Sequence, residues 1–270
     1  MSMVERLRQD IRMRNDTDYI MPVWLPFVSI ILLIVGAVFF IAALALSDIN
    51  SISSLQGNTN TITITRNIGI SGLNLEASFG ASVLGAGLAL MVLGGLIQLY
   101  VIYKWIDRMN KHFKRTILLY KDLAEYFEEK GLNNRAESMR TIIRQMEVEQ
   151  TEHGPFLWII LVLIINILVY YVYHFLSKDF YVHNRRELYL WEEASKAMEE
   201  LGHPLMFRSM YSIPDRNTVL YFVLSLITMG VFQLYWVYTL TLDPNNHFKE
   251  HTRFEDELID KIEKIEENLA

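Results

Sequence analysis

His247 and His251 stand four residues apart in His-Phe-Lys-Glu-His, with Glu250 beside the second. On a helix, residues i and i+4 share a face. This spacing therefore offers two imidazoles to one metal ion, with a glutamate near enough to act as a base. A zinc hydrolase of this kind needs a third ligand further along the chain and an open coordination position. The stretch from His251 to Ala270 is short, and Glu255 and Glu257 lie too close on the same helix to serve. The chain has no cysteine, which excludes disulfides, thiol catalysis and cysteine-based zinc sites. The sequence thus assigns no catalytic residue, no metal ligand and no cofactor. It predicts a charged helix in a protein that is not an enzyme.

The stretch that carries His247 occurs twice. "GVFQLYWVYTLTLDPNNHFK", Gly230 to Lys249, matches "GLIQLYVIYKWIDRMNKHFK", Gly95 to Lys114, at nine of twenty positions and an offset of half the chain. The matches include Gly95/Gly230, Gln98/Gln233, Tyr100/Tyr235, Tyr103/Tyr238, Asn110/Asn245 and His112/His247. An internal duplication follows, with residues 1–135 as a first repeat and 136–270 as a second. Thr116 stands where the second copy has His251, so the duplication does not predict a paired metal site.

The elements that must position these residues are set by hydropathy. Apolar residues make up 51% of the chain, charged residues 21%, and the two are segregated along it. A bilayer core about 30 Å thick needs about 20 apolar helical residues to span it. Four segments qualify: 21–47, 81–103, 156–176 and 218–240. The expected fold is an all-α integral membrane protein of four transmembrane helices, arranged as two parallel two-helix repeats. Cytoplasmic amphipathic helices and a small extracytoplasmic β-hairpin and helix region complete it. Lys and Arg favour the cytoplasmic side. With four spans, the N-terminal arm, the segment from 108 to 144 and the C-terminal tail share one side. They carry 17 Lys and Arg against seven on the other side, six of the seven in the loop 178–216. Both termini are placed in the cytoplasm, and that loop is the weak point. The net charge of −6 argues against nucleic acid as a partner.

Tyr100, Tyr103, Tyr235, Trp236 and Tyr238, with Trp105, would anchor the helices at the membrane interface, where rings sit in lipid with polar tips in water. Gln98 and Gln233 lie a turn inside that belt, and Asn166 lies near mid-span. Polar groups at such depth face protein or water rather than lipid. These three form a possible intramembrane polar or packing site. Ala81, Gly85 and Ala89 make a row of small residues suited to close helix packing.

The segment Thr228-Met229-Gly230-Val231-Phe232-Gln233-Leu234-Tyr235-Trp236-Val237-Tyr238 resembles the signature of a prokaryotic membrane family, domain of unknown function 4234. The shared pattern is Thr-x-Gly-x-x-x-x-Tyr-Trp-x-Tyr, often in tandem. Phe232 stands where the family usually has Tyr, and the first half departs further, with Leu93 for Thr and Val101 for Trp. The resemblance implies a multi-pass protein of a bacterial or archaeal cell membrane. It brings no activity.

Outside the spans, residues 106–150 predict a helical hairpin. Gly131 would end the first helix, and Asn134 with Glu137 would cap the second. Leu132, Ala136, Met139, Ile143 and Met146 form an apolar stripe. Phe254, Leu258, Ile262, Ile265 and Leu269 form another on an acidic C-terminal helix. Val4, Leu7 and Ile11 predict a short helix lying on the cytoplasmic leaflet. "TITITRNIGI" alternates at Ile62, Ile64, Ile68 and Ile70 as a β-hairpin does, and 184–201 reads as a helix in the other outer loop. The functional expectation is a non-enzymatic membrane scaffold or accessory subunit of a larger complex. Its partners would be the bilayer and either another protein or further copies of itself, met through the cytoplasmic helices and outer loops. The alternative is a small homo-oligomeric channel or transporter with a polar site near Gln98 and Gln233.

Overall fold

The computed structural model describes residues 2–56, 69–206 and 211–268. Among these residues the chain forms α1 (Met3–Arg12), α2 (Arg14–Thr17), α3 (Leu25–Gln56), α4 (Gly69–Glu129), α5 (Asn133–Glu149), α6 (Pro155–Ile164), a 3-10 turn (Asn166–Leu168), α7 (Val169–Glu200), α8 (Thr218–Ile227) and α9 (Val231–Glu267). They group into two compact units, one of residues 24–101 and one of 1–23 with 102–270. The boundary falls elsewhere than the mid-point of the chain and runs through α4. Ile62, Ile64 and Ile68 of the expected β-hairpin lie outside the described residues, and Ile70 sits in the first turn of α4.

The unit 24–101 consists of α3 and the first part of α4. Leu25–Ala45 and the stretch of α4 from Ser78 are each long and apolar enough to cross a membrane. The two helices approach most closely at glycines. A Cβ on Gly87 would meet the backbone of Gly36 and Phe40, and one on Gly94 would meet the carbonyl of Ser29. The expected row does not do this. Gly85 has nothing within 4 Å of such a Cβ, and Ala81 and Ala89 are exposed. Small residues do set the close approach, but they lie on another face of the helix.

The other unit has its core in the soluble-type helices. Leu119, Leu123 and Phe127 of α4 pack with Met139, Ile143 and Met146 of α5, Leu190, Trp191 and Met198 of α7, and Phe254, Leu258 and Ile262 of α9. The stripes expected on residues 132–146 and 254–265 are thus buried within one chain, and Leu269 lies outside the described residues. Gly131 ends α4 as expected, at φ 82°, with the Leu132 N–H donating to the Phe127 carbonyl at 2.8 Å. The expected cap on the next helix does not form, because α5 starts one residue before Asn134 and has no side-chain cap. α1 has the predicted apolar face, but Leu7 and Ile11 are buried in this core rather than laid on lipid. Arg8 reaches Glu263 at 2.6 Å and Arg14 reaches Asp256 at 2.6 Å, which straps the arm across α9.

Two of the four expected spans are corrected. Residues 156–176 turn back at the 3-10 turn, so that Trp158 lies 5.2 Å from Phe175, ring to ring, and His153 stacks on Phe175 at 3.8 Å. Residues 218–240 turn back at Thr228–Gly230, which brings Tyr221 to 5.6 Å from Trp236. An unbroken helix would hold Trp158 and Phe175 about 25 Å apart, so each segment is a helical hairpin. α6 and α8 have ten residues each, about 15 Å, half the thickness of a bilayer core. An apolar run of spanning length does not distinguish one crossing from two half-crossings. The tips are apolar and exposed, with Ile164, Ile167, Ile227 and Met229 at the surface, while Arg216 forks onto Asp243 at the foot of the second hairpin. The loop 178–216 follows from this. It was expected on the far side of the membrane from 108–144, yet α7 packs on α5 and α9.

Candidate functional site

The reversal at Thr228–Gly230 is built by one hydroxyl and two left-handed residues. Thr228 Oγ1 donates to the Leu224 carbonyl at 2.7 Å and accepts from the Phe232 N–H at 2.9 Å, joining the end of α8 to the start of α9. Met229 has φ 49° and Gly230 φ 90°, a region that glycine enters without a Cβ clash. α9 then runs back through Pro244. Proline has no N–H, so the Leu240 carbonyl loses its helical donor. Arg108 Nη2, buried on α4, donates to it instead at 2.9 Å.

The two matched motifs meet here. Asn245 Nδ2 donates to the Met21 carbonyl at 2.7 Å and its Oδ1 accepts from the Met21 N–H at 3.1 Å. Asn110 does the same to His153, with bonds of 2.6 and 3.3 Å. Each motif asparagine therefore clamps the backbone a few residues before an apolar helix of the other half. Two residues on, His112 and His247 face each other, Nε2 to Nε2, at 3.1 Å.

Around this pair lies a closed polar cluster. Glu187 Oε2 is 3.0 Å from His247 Nε2 and 3.0 Å from His251 Nε2. His112 Nδ1 is 3.0 Å from Asp18, and His251 Nδ1 is 3.2 Å from Glu255. Arg115 bridges Asp18 and Glu255 at 2.7 Å each. His112, Glu187, His247 and His251 are all 0% exposed, and one ligand atom from each lies within 4.8 Å of the others. Burial pushes His112 down to about 3 and His247 to about 4, so both are neutral. Burial opposes charge on His251 as well, but Glu187 and Glu255 outweigh it and hold that ring up at about 10. Glu187 is likewise penalised by burial, and the histidines His183, His251 and His247 keep its carboxyl well below the usual range.

The residues singled out from sequence fall differently. Gln98 accepts from Ser29 at 2.6 Å. Gln233 accepts from Tyr170 at 3.0 Å and donates to Tyr173 at 3.4 Å, tying α9 to α7. Asn166 is exposed at the tip of the first hairpin, not buried between helices. Tyr100, Tyr235 and Tyr238 are exposed and Tyr103 half-buried. Trp236 is not an interfacial anchor. It is buried, with Nε1 donating to Ser177 Oγ at 3.0 Å, and Trp105 is buried against Thr241 in the same way. Glu250 does not face the cluster as a hydrolase base would, but accepts from the Tyr211 backbone N–H. Sequence reasoning missed Glu187, Asp18 and Arg115. A signal existed for the first: His183 and Glu187 are four apart at the start of the helix expected over 184–201.

Together, the helices and this cluster define an all-helical protein with two candidate membrane spans and a sealed histidine–carboxylate centre. A family model described as a domain of unknown function, DUF4234, matches residues 216–255. The match bears out the resemblance drawn from Thr228–Tyr238, and it takes in α8, the reversal, Asn245, His247, His251 and Glu255. No curated protein and no solved structure matches the chain.

Proposed function

We propose that this chain is a non-enzymatic integral membrane scaffold or accessory subunit. In this reading α3 and α4 cross the bilayer, the two hairpins enter it to half depth from the cytoplasmic side, and every charged helix stays in the cytoplasm. The observation that carries the first part is the complete burial of the polar cluster. Its reactive groups cannot reach a substrate without unfolding the core, whereas a rigid ion-paired centre suits a body that others dock on. What supports the topology is charge. With the hairpins half-inserted, 24 of the 25 Lys and Arg lie on one side and Arg66 alone lies on the other. This removes the weak point of the four-span arrangement. The channel alternative rested on Gln98 and Gln233 as a shared polar site, and both are taken up by neighbouring hydroxyls.

Two measurements test this reading. Because the chain has no cysteine, Val148→Cys and Met206→Cys give single labels at exposed sites. Half-depth hairpins place both on the cytoplasmic side, and labelling from opposite sides would restore four spans. Extraction in mild detergent, with native mass and co-purifying proteins determined together, tests the role. A stoichiometric partner supports the accessory subunit. A homo-oligomer that carries solute across liposomes overturns it.

A further inference from the structure

We infer that His112, Glu187, His247 and His251 bind one divalent transition-metal ion of the zinc class, held as a structural centre. Three imidazole nitrogens and one carboxylate oxygen form a ligand set typical of zinc, with bonds of about 2.0–2.2 Å to each atom. A tetrahedron on such bonds has edges of about 3.3 Å. The separations here are 3.1 Å between the Nε2 atoms of His112 and His247, and 3.0 Å from Glu187 Oε2 to each of His247 and His251. These three edges need to lengthen by only a few tenths of an ångström, and the other three, all within 4.8 Å, have to settle at about 3.3 Å.

The surroundings fit a metal more closely than chance packing would. Metal-bound histidines usually pass their other ring N–H to a carboxylate. His112 Nδ1 meets Asp18 and His251 Nδ1 meets Glu255, and Arg115 fixes both carboxylates. The second oxygen of Glu187, Oε1, is fully buried and makes no hydrogen bond. His183 Nε2 lies 3.1 Å from it, but the two are not aligned to bond. A buried carboxylate with an unbonded oxygen is costly, the protonated His251 ring faces only the other oxygen, and a metal ion would take the place of that ring's Nε2 proton, which is released on binding. Four protein ligands and full burial leave no open position, which is the mark of structural rather than catalytic sites. The ligands come from α4, α7 and α9, and His112 and His247 alone are 135 positions apart in the chain. Closing them round one ion would lock three helices together.

One neighbour resists. The Asn184 amide is fixed by the Ile213 N–H at 2.8 Å and the Tyr211 carbonyl at 3.0 Å, which turns its Nδ2 toward His247 Nδ1 at 3.2 Å. That contact favours a His247 proton on Nε2, the atom the metal needs. Binding moves the proton to Nδ1 and breaks the contact, so part of the binding energy goes into losing it.

The test uses full-length protein in mild detergent. Metals are counted by mass spectrometry after desalting, and the chelated protein is reloaded with Co²⁺ for visible spectroscopy. The expected result is one zinc per chain and the intense visible bands of four-coordinate cobalt. Glu187→Gln and His247→Gln should retain metal at least about 10-fold more weakly, and His203→Ala should match the wild type. Folded wild-type protein that carries no metal, and whose melting temperature does not move with added Zn²⁺ or Co²⁺, overturns the site. So does metal bound equally by the wild type and by folded Glu187→Gln. Should the variants fail to fold, the wild-type metal count and cobalt spectrum decide alone.

Discussion

Gly95 and Gly230 occupy matched places in the two copies of one motif, and the backbone does opposite things at them. At Gly95 it continues as α4 without a break, while at Gly230 it reverses with φ 90°. The difference lies in the residue two places earlier. Thr228 has a hydroxyl that satisfies one backbone group on each side of the turn, and Leu93 has none. A glycine permits a reversal, but something must satisfy the helix ends that a reversal exposes. The same contrast runs through the rest of the motif. Asn245 is buried and Asn110 half-buried. His247 is followed by His251, and His112 by Thr116. Arg115, matched to Glu250, lies in the centre of the body, and Glu250 lies near its surface.

Pairs of substitutions at matched positions put numbers on this asymmetry, each read by thermal or chemical unfolding of the full chain in detergent. The largest difference is expected between Arg115→Met and Glu250→Gln. The first takes the guanidinium from between two buried carboxylates, leaving Asp18 with His112 and Glu255 with His251 and Arg14, and should cost about 3–5 kcal/mol. The second gives up part of one hydrogen bond at a partly exposed site and should cost about 1 kcal/mol. Equal effects would mean that the central ion pairs do not hold the body together.

Asn245→Ala should follow, at about 2–3 kcal/mol, because it leaves a buried Met21 N–H and a donor of Arg108 without partners. Asn110→Ala, with water near enough to replace it, should cost about 1 kcal/mol. Gly230→Ala should destabilise by about 1–2 kcal/mol through the left-handed backbone. Gly95→Ala should stabilise by about 0.5–1 kcal/mol, since a Cβ there meets nothing within 4 Å. A stabilising Gly230→Ala would show that the chain is not reversed at that point. The smallest pair is Thr228→Val, at about 1 kcal/mol, against Leu93→Thr, within about 0.5 kcal/mol.

Much of this was legible in the sequence, and unevenly. Helix faces such as Met139–Ile143–Met146 and Phe254–Leu258–Ile262 read directly, because period and burial depend on local spacing. The first two candidate spans read equally well. The reversals within 156–176 and 218–240 did not, because hydropathy counts apolar residues and says nothing of chain direction. Thr228 was quoted as part of a family pattern, but its two hydrogen bonds are visible only once the turn is made. The polar cluster was half legible. His112, His247 and His251 stand out by their spacing and repetition, but no further ligand lies downstream of them in the chain. The answer came from 64 positions upstream of His251, on a helix assigned to the opposite side of the membrane. Tertiary contact, not spacing, made Glu187 a member of the set.

The hydrogen bonds from residues 8–21 to residues 245–263 span 224 to 255 positions of sequence. During synthesis, then, residues 8–21 leave the ribosome long before their partners and wait for almost all that lies between. Asp18 and Arg115 are both made before either hairpin, but Glu255 reaches Arg115 only after both hairpins have been made. Until then the apolar faces of α1 and α7 lack α9, and the body is most open to proteases and chaperones while its candidate membrane helices are already made. In the proposed membrane topology, assembly of this molecule is thus a race between insertion, which begins first, and closure, which comes last.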